Sequence, residues 1–146
     1  LIDSTTYVSE ETAASNGPAQ AKYITRRITL ADGFDATGLN VNLLINRRPG
    51  TSVDVYYKVI SKYDNANFDD KSYVRMLPTT NSGGVLFTNT PEEFSEENYQ
   101  ALNINYSSSG ASFNDFKTFA IKTVLSSNTT YQVPRVMDLR VIAMSI

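Results

Sequence analysis

Between Leu39 and Asn46 the apolar residues Leu39, Val41, Leu43 and Ile45 alternate with Asn40, Asn42 and Asn46. A period of two fits extended backbone, because successive strand side chains leave opposite faces. Asparagine on one of those faces means that it meets water, as in an antiparallel sheet with one covered side. The same period recurs along the chain. Ile24, Arg26, Ile28 and Leu30 alternate with Tyr23, Thr25, Arg27 and Thr29, and Val53, Val55, Tyr57 and Val59 alternate with Asp54, Tyr56, Lys58 and Ile60. Asp32-Gly33 with Gly38, and Arg48-Pro49-Gly50, supply the reversals between these runs.

Further on, Tyr73 to Leu77 reads as a short strand, Asn81 to Gly84 as a bend before Val85-Leu86-Phe87, and Tyr99 to Tyr106 as a return to alternation. Thr90, Pro91 and Glu93 match an N-cap, a first-turn proline and a capping-box acid, which predicts one or two helical turns over Pro91 to Glu97. The SSSGAS stretch from Ser107 to Ser112 interrupts the pattern. Lys117 to Leu125 and Val133 to Met144 are long and β-branched, and the turn-rich Ser126 to Thr130 lies between them, so they are expected to pair as a hairpin. Val133 to Met144 is apolar on nearly both faces, which predicts a central strand with Met137, Leu139 and Val141 buried. About eight strands at this spacing point to an all-β, two-sheet sandwich of jelly-roll type with at most one or two short helical turns.

A chain of 146 residues with 41% hydrophobic content is expected to close one core. Ser9 to Gly17, SEETAASNG, has no apolar period and leads into Pro18, so residues 1–18 read as an arm or linker and 19–146 as the sandwich domain. Such an arm is expected to be ordered only by contact, and its removal to leave the sandwich folded. Thr6-Tyr7-Val8 within it could add a strand to a sheet edge. The start at Leu1 fits a fragment of a longer polypeptide or a processed product.

Thirteen Lys and Arg against fifteen Asp and Glu leave a net charge of -2, too weak a field to draw in nucleic acid or an anionic membrane. No apolar run is long enough to insert into a membrane. With no cysteine and no histidine, the chain has no disulfide, thiolate, Ser-His-Asp or His-ligated metal chemistry available. No catalytic, cofactor-binding or metal-ligating residue is singled out. The acidic loop Asp64, Asn65, Asn67, Asp69, Asp70 lacks the spacing of a calcium loop and reads as a solvated turn held by Asx hydrogen bonds. Glu92, Glu93, Glu96 and Glu97 sit too close together in sequence to oppose one another across a cleft, so a solvated acidic loop is the simpler reading. Asn105 and Asn128 head two N-x-S/T sequons, which carry no weight without a secretory route.

Surface contacts are the remaining candidates. Folding back at Gly33 to Asp35 would bring Lys22, Arg26 and Arg27 opposite Arg47 and Arg48, a local basic spot for a phosphate or an acidic strand. Tyr56, beside Lys58 and Asp54 on the expected wet face, could stack on a sugar or a neighbouring subunit. Tyr56, Lys58, Arg47 and Arg48 are therefore the contact candidates.

The runs AKYITRRITLADGFDATGLNVNL, GTSVDVYYKVI, FDDKSYVRM and FKTFAIKTVLSSNTTYQVPRVMDLRVIAM together resemble a domain of virion structural proteins in tailed bacteriophages with contractile tails. Such domains sit in baseplate or tail-fibre-associated proteins. The resemblance covers roughly residues 20 to 146 and is most specific in DVYYKV and VPRVMDLRVIA. It implies a β-sandwich appended to a larger tail component, without enzymatic role or cofactor, located in the virion and in the host cytoplasm during assembly. Its implied partners are other virion proteins or further copies of itself. A module for cell-surface glycans is the alternative, weakened by the absence of tryptophan. No functional residue is carried over from the resemblance.

Overall fold

A computed structural model describes residues 11–15, 17, 19, 21–31, 33–78, 88, 90, 92–102, 115–128 and 131–145. The elements in chain order are β1 (Lys22–Ile24), β2 (Ile28–Thr29), β3 (Gly38–Asn46), β4 (Thr51–Ser61), a 3-10 turn (Phe68–Asp70), β5 (Val74–Met76), β6 (Ser95–Leu102), β7 (Phe116–Ser127) and β8 (Arg135–Met144). They form two antiparallel sheets with almost no helix. In the larger sheet β7 lies between β4 and the pair β1 and β2, and β5 follows β4. In the smaller one β3 lies between β6 and β8.

The alternation read in β3 sets the inner face of the smaller sheet. Leu39, Val41, Leu43 and Ile45 are all buried and pack with Val53, Val55 and Val59 of β4 and with Phe116, Phe119 and Ile121 of β7. Facing apolar stripes on two sheets exclude water between them, the arrangement of a β-sandwich. Tyr99 of β6 belongs to the same core and donates its hydroxyl to the Val53 carbonyl at 3.3 Å, which satisfies its one polar atom.

The first alternating run does not form one strand. From Ile24 to Ile28 the chain takes four steps while β7 takes three, from Lys122 to Phe119, so one residue is extra and the ladder bulges. Thr25 spans the gap: its N–H donates to the Ile121 carbonyl and its hydroxyl accepts the Ile121 N–H, both at 2.9 Å. Ala36 and Phe116 then exchange two backbone hydrogen bonds where the chain crosses to the other sheet.

The expected hairpin of the last two strands is not formed. β7 enters the larger sheet as partner of β4, whereas β8 joins β3 in the smaller one. β7 runs on through Ser127, and matching two long β-prone runs to the nearest reversal misread them. β8 is an edge strand, not a central one: Met137 is 61% exposed and Leu139 and Val141 are only half-buried. The predicted helical turns also yield. One 3.4 Å hydrogen bond from Glu93 N–H to the Thr90 carbonyl makes a single turn, and Ser95, Glu96 and Glu97 belong to β6. Thr6 to Val8, Val85 to Phe87, Asn105 and Ser107 to Ser112 lie outside the described residues.

Core position decides the cost of truncation. Ile121→Ala, at a fully buried site, should lower the unfolding free energy by about 2 to 5 kcal/mol. Leu139→Ala, on the half-covered edge, should cost about 1 to 2 kcal/mol, because less apolar area returns to water. Urea denaturation of both variants measures the order, and equal losses would contradict the edge placement of β8.

Candidate functional site

Two places in the fold gather chemistry or exposed apolar surface. The first is the outer face of the larger sheet, where β4 presents Asp54, Tyr56 and Lys58 in register with Val124, Lys122 and Ala120 of β7. Polar residues here suggested a wet face. Instead Tyr56 is 1% exposed, Lys58 4% and Lys122 0%. The cover is a layer built from residues 11–15, Gly17, Ala19, the 3-10 turn and Tyr73, so Tyr56 and Lys58 are not surface contacts.

Glu11 is the centre of that layer. Fully buried, it receives the Lys122 ammonium on Oε2 at 2.8 Å and again on its own backbone carbonyl, while Oε1 accepts the Ala19 N–H at 2.5 Å. The Lys122 Nζ also lies 4.5 Å from the Tyr73 ring centroid and 5.0 Å from that of Tyr56, so the charge is held by carboxylate, carbonyl and two π faces. Gly17 passes so close that a Cβ there would lie 2.6 Å from Glu11 Oε2, and its φ of +77° is one that glycine adopts without strain. The Gly17 carbonyl accepts from Lys22 at 2.7 Å, and the Thr12 carbonyl accepts the Tyr73 N–H at 2.9 Å.

Lys58 does similar work one step along β4. Its ammonium donates to the Ala14 carbonyl at 3.3 Å and stands 4.5 Å from the Tyr73 ring centroid and 5.5 Å from that of Phe68. Burial pulls the pKa of both lysines below the usual ammonium value, with Glu11 opposing the shift at Lys122. Arg27, from the bulge before β2, lies over Phe68 and pairs with Asp69 at 2.6 Å. An open cleft of about 430 Å³ remains between Lys58, Arg27, Asp69 and Phe68. These groups are taken up by one another and by the segment they hold down. Residues 11–15, read as a free tether, are a clasped layer of the domain.

The acidic loop is the turn that its sequence suggested. Asp64 accepts the Ala66 N–H, Asn67 caps the 3-10 turn by accepting from Asp69 N–H, and Lys71 pairs with Asp64. The four glutamates do not converge: Glu92 and Glu93 precede β6, and Glu96 and Glu97 leave that strand on opposite faces, Glu97 buried. Among the described residues no three acids gather as a metal site.

The basic spot is dispersed. Lys22, Arg26 and Arg27 follow the larger sheet, whereas Arg47 and Arg48 leave the end of β3 in the smaller one. Both are half-buried. Arg47 exchanges backbone and side-chain hydrogen bonds with Thr88, and Arg48 donates to the Thr88 carbonyl at 3.0 Å, so they fasten the β3–β4 turn to a neighbouring segment.

The second place is the β8 edge, which sequence reasoning treated as core. Val136, Met137 and Ile142 are exposed there, and Tyr23 of β1, 59% exposed, stands above the same side. An apolar cleft of about 390 Å³ opens between the sheets, lined by Tyr23 and Leu125 above and by Val136, Met137 and Leu139 below. An unpaired strand edge with apolar side chains is the usual starting point for strand addition by another chain.

Glu11→Gln should destabilise the fold by about 3 to 5 kcal/mol, because it leaves a buried ammonium without its carboxylate, while Glu11→Leu with Lys122→Met should recover most of that loss. Denaturation of the two variants is the measurement. Burial pushes the Tyr56 and Tyr99 phenols up to about 12 from 10.0. A pKa raised in the folded state gives stability that is complete below pH 10 and lost as the pH climbs toward 12. The unfolding midpoint should fall across that window, and Tyr56→Phe should flatten the fall. No protein-family model, no curated protein and no solved structure matches the chain, so both places are read from their own geometry.

Proposed function

We propose that the chain is a non-catalytic structural or adaptor module that attaches proteins to one another in a bacteriophage tail or baseplate. The β8 edge carries this reading. It offers a ten-residue strand bonded on one side to β3, with apolar residues at its rim and a cleft beside it, and attachment by strand addition needs that geometry. The assignment to a phage tail rests on the sequence resemblance over residues 20 to 146.

The strand order supports a sandwich of jelly-roll type. β4 pairs with β5, β3 with β6, and β1 and β2 with β7, a nested set in which each pair encloses the one before. Taking β1 and β2 as one bulged strand gives the successive wraps of a chain folded back on itself and rolled into two sheets. In that scheme β8 is the outermost return strand, bonded among the described residues to β3. The glycan-binding alternative, which the jelly-roll reading permits and the absence of tryptophan weakens, loses Tyr56 as a stacking candidate because that ring is covered.

The test is localisation on the particle. Antibodies raised against the purified chain should label the tail or baseplate of virions produced by the host that carries the gene, in immunogold electron microscopy. Virions without label, alongside cytoplasmic protein in the same cells, would end the assembly reading.

A further inference from the structure

Among the described residues β8 bonds to β3 alone, and its sequence is complementary to itself when reversed. We infer that the β8 edge pairs antiparallel with β8 of a second copy, about a two-fold axis at Leu139, joining the two smaller sheets into one. The inference rests on the reading of β8 as an attachment edge and names its partner.

The register follows from charge. A two-fold axis perpendicular to a continuous sheet sets one residue opposite its own copy, so the choice is which residue lies on the axis. An axis at Asp138 sets two carboxylates face to face, and one at Arg140 sets two guanidinium groups face to face. Like charges directly opposite oppose pairing. An axis at Leu139 sets Asp138 of each copy opposite Arg140 of the other, two attractive pairs from one symmetric contact. Val136 and Ile142 leave β8 on opposite faces because of the bulge between them, so the register is fixed by the Asp138 and Arg140 pairs.

The side chains are available for this. Asp138 and Arg140 are 3.5 Å apart within the strand, with 54% and 73% of their side-chain surface exposed, so each can turn to a neighbour. Both leave the strand on the face away from the core, where Leu139 and Val141 face inward opposite Leu43 and Val41. The bulge at Met137 falls where β8 shifts register between Leu44 and Ile45. Asp138, Leu139 and Arg140, the three residues about the axis, all lie on the straight run that follows the bulge.

Light scattering across a concentration series tests the pairing. The wild-type chain should approach twice the monomer mass as concentration rises. Asp138→Arg sets Arg against Arg in both pairs, and Arg140→Asp sets Asp against Asp, so each alone should weaken the dimer about tenfold. Mixed in equal amounts the two variants regain opposite charges at both positions, and they should form a one-to-one heterodimer. That rescue cannot come from a folding defect. A wild type that stays monomeric at all concentrations overturns the inference, as does a dimer indifferent to both substitutions. A monomer whose β8 amides resist hydrogen exchange also overturns it, and assigns the edge to another segment of the same chain. Tail labelling that persists with a monomeric chain removes the self-pairing while leaving the assembly reading intact.

Discussion

The ammonium of Lys122 sits in the middle of a central strand, with Ala120 and Val124 on the same face, and much of the larger sheet is organised around it. A lone charge there would be costly in proportion to how dry its surroundings are, so the fold has to bring it a carboxylate and further polar partners. Glu11 supplies both the acid and a carbonyl, and to do so residues 11–15 must lie over the outer face of the sheet. Once there they exclude water from Tyr56 and Lys58, and Tyr73 closes over the same pair of lysines. One buried ion pair thus fixes the position of an N-terminal segment that has few apolar groups of its own. It adds a layer outside the larger sheet, on the face away from the core.

Much of the strand content was legible. β3 and the inner row of β4 follow from alternation alone, because their apolar residues meet in the core between the two sheets. The outer row of β4 was misread for a definite reason. Asp54, Tyr56 and Lys58 have the polarity of a wet face, and what covers them has no strand or helix period to announce it. A signal was nevertheless present: Lys122 stands between Ile121 and Val124 in a run otherwise suited to burial, and a lysine so placed requires an acid from somewhere. Nothing in the spacing says that the acid is Glu11, since the pairing is set by the path of the chain in three dimensions.

The strand partners were less legible than the strands. Proximity in sequence favoured pairing β7 with β8, and the turn-like residues between them encouraged it. The nested order overrides this, because β7 is covered between β4 and the β1 and β2 pair, and β8 finds an apolar stripe to match on β3. For the same reason β8 was taken as central. Its composition is that of a strand covered on both sides, yet only the inward row at Leu139, Val141 and Ala143 is covered within the chain. The mismatch between composition and exposure marks it as an edge prepared for company.

The nested order also sets the schedule of synthesis. β3 and β4 leave the ribosome early, but β4 waits for β7, and β3 waits for β6 and β8, all from the latter half of the chain. Until those arrive, β4 carries Val53, Val55 and Val59 with no sheet to bury them. Sheet closure then requires contacts between distant segments, whose loop-closure entropy slows folding. Before those partners emerge, β3 and β4 are strands of two different sheets with apolar faces uncovered, the state in which chaperone binding or premature association with a neighbouring chain competes with completion of the fold.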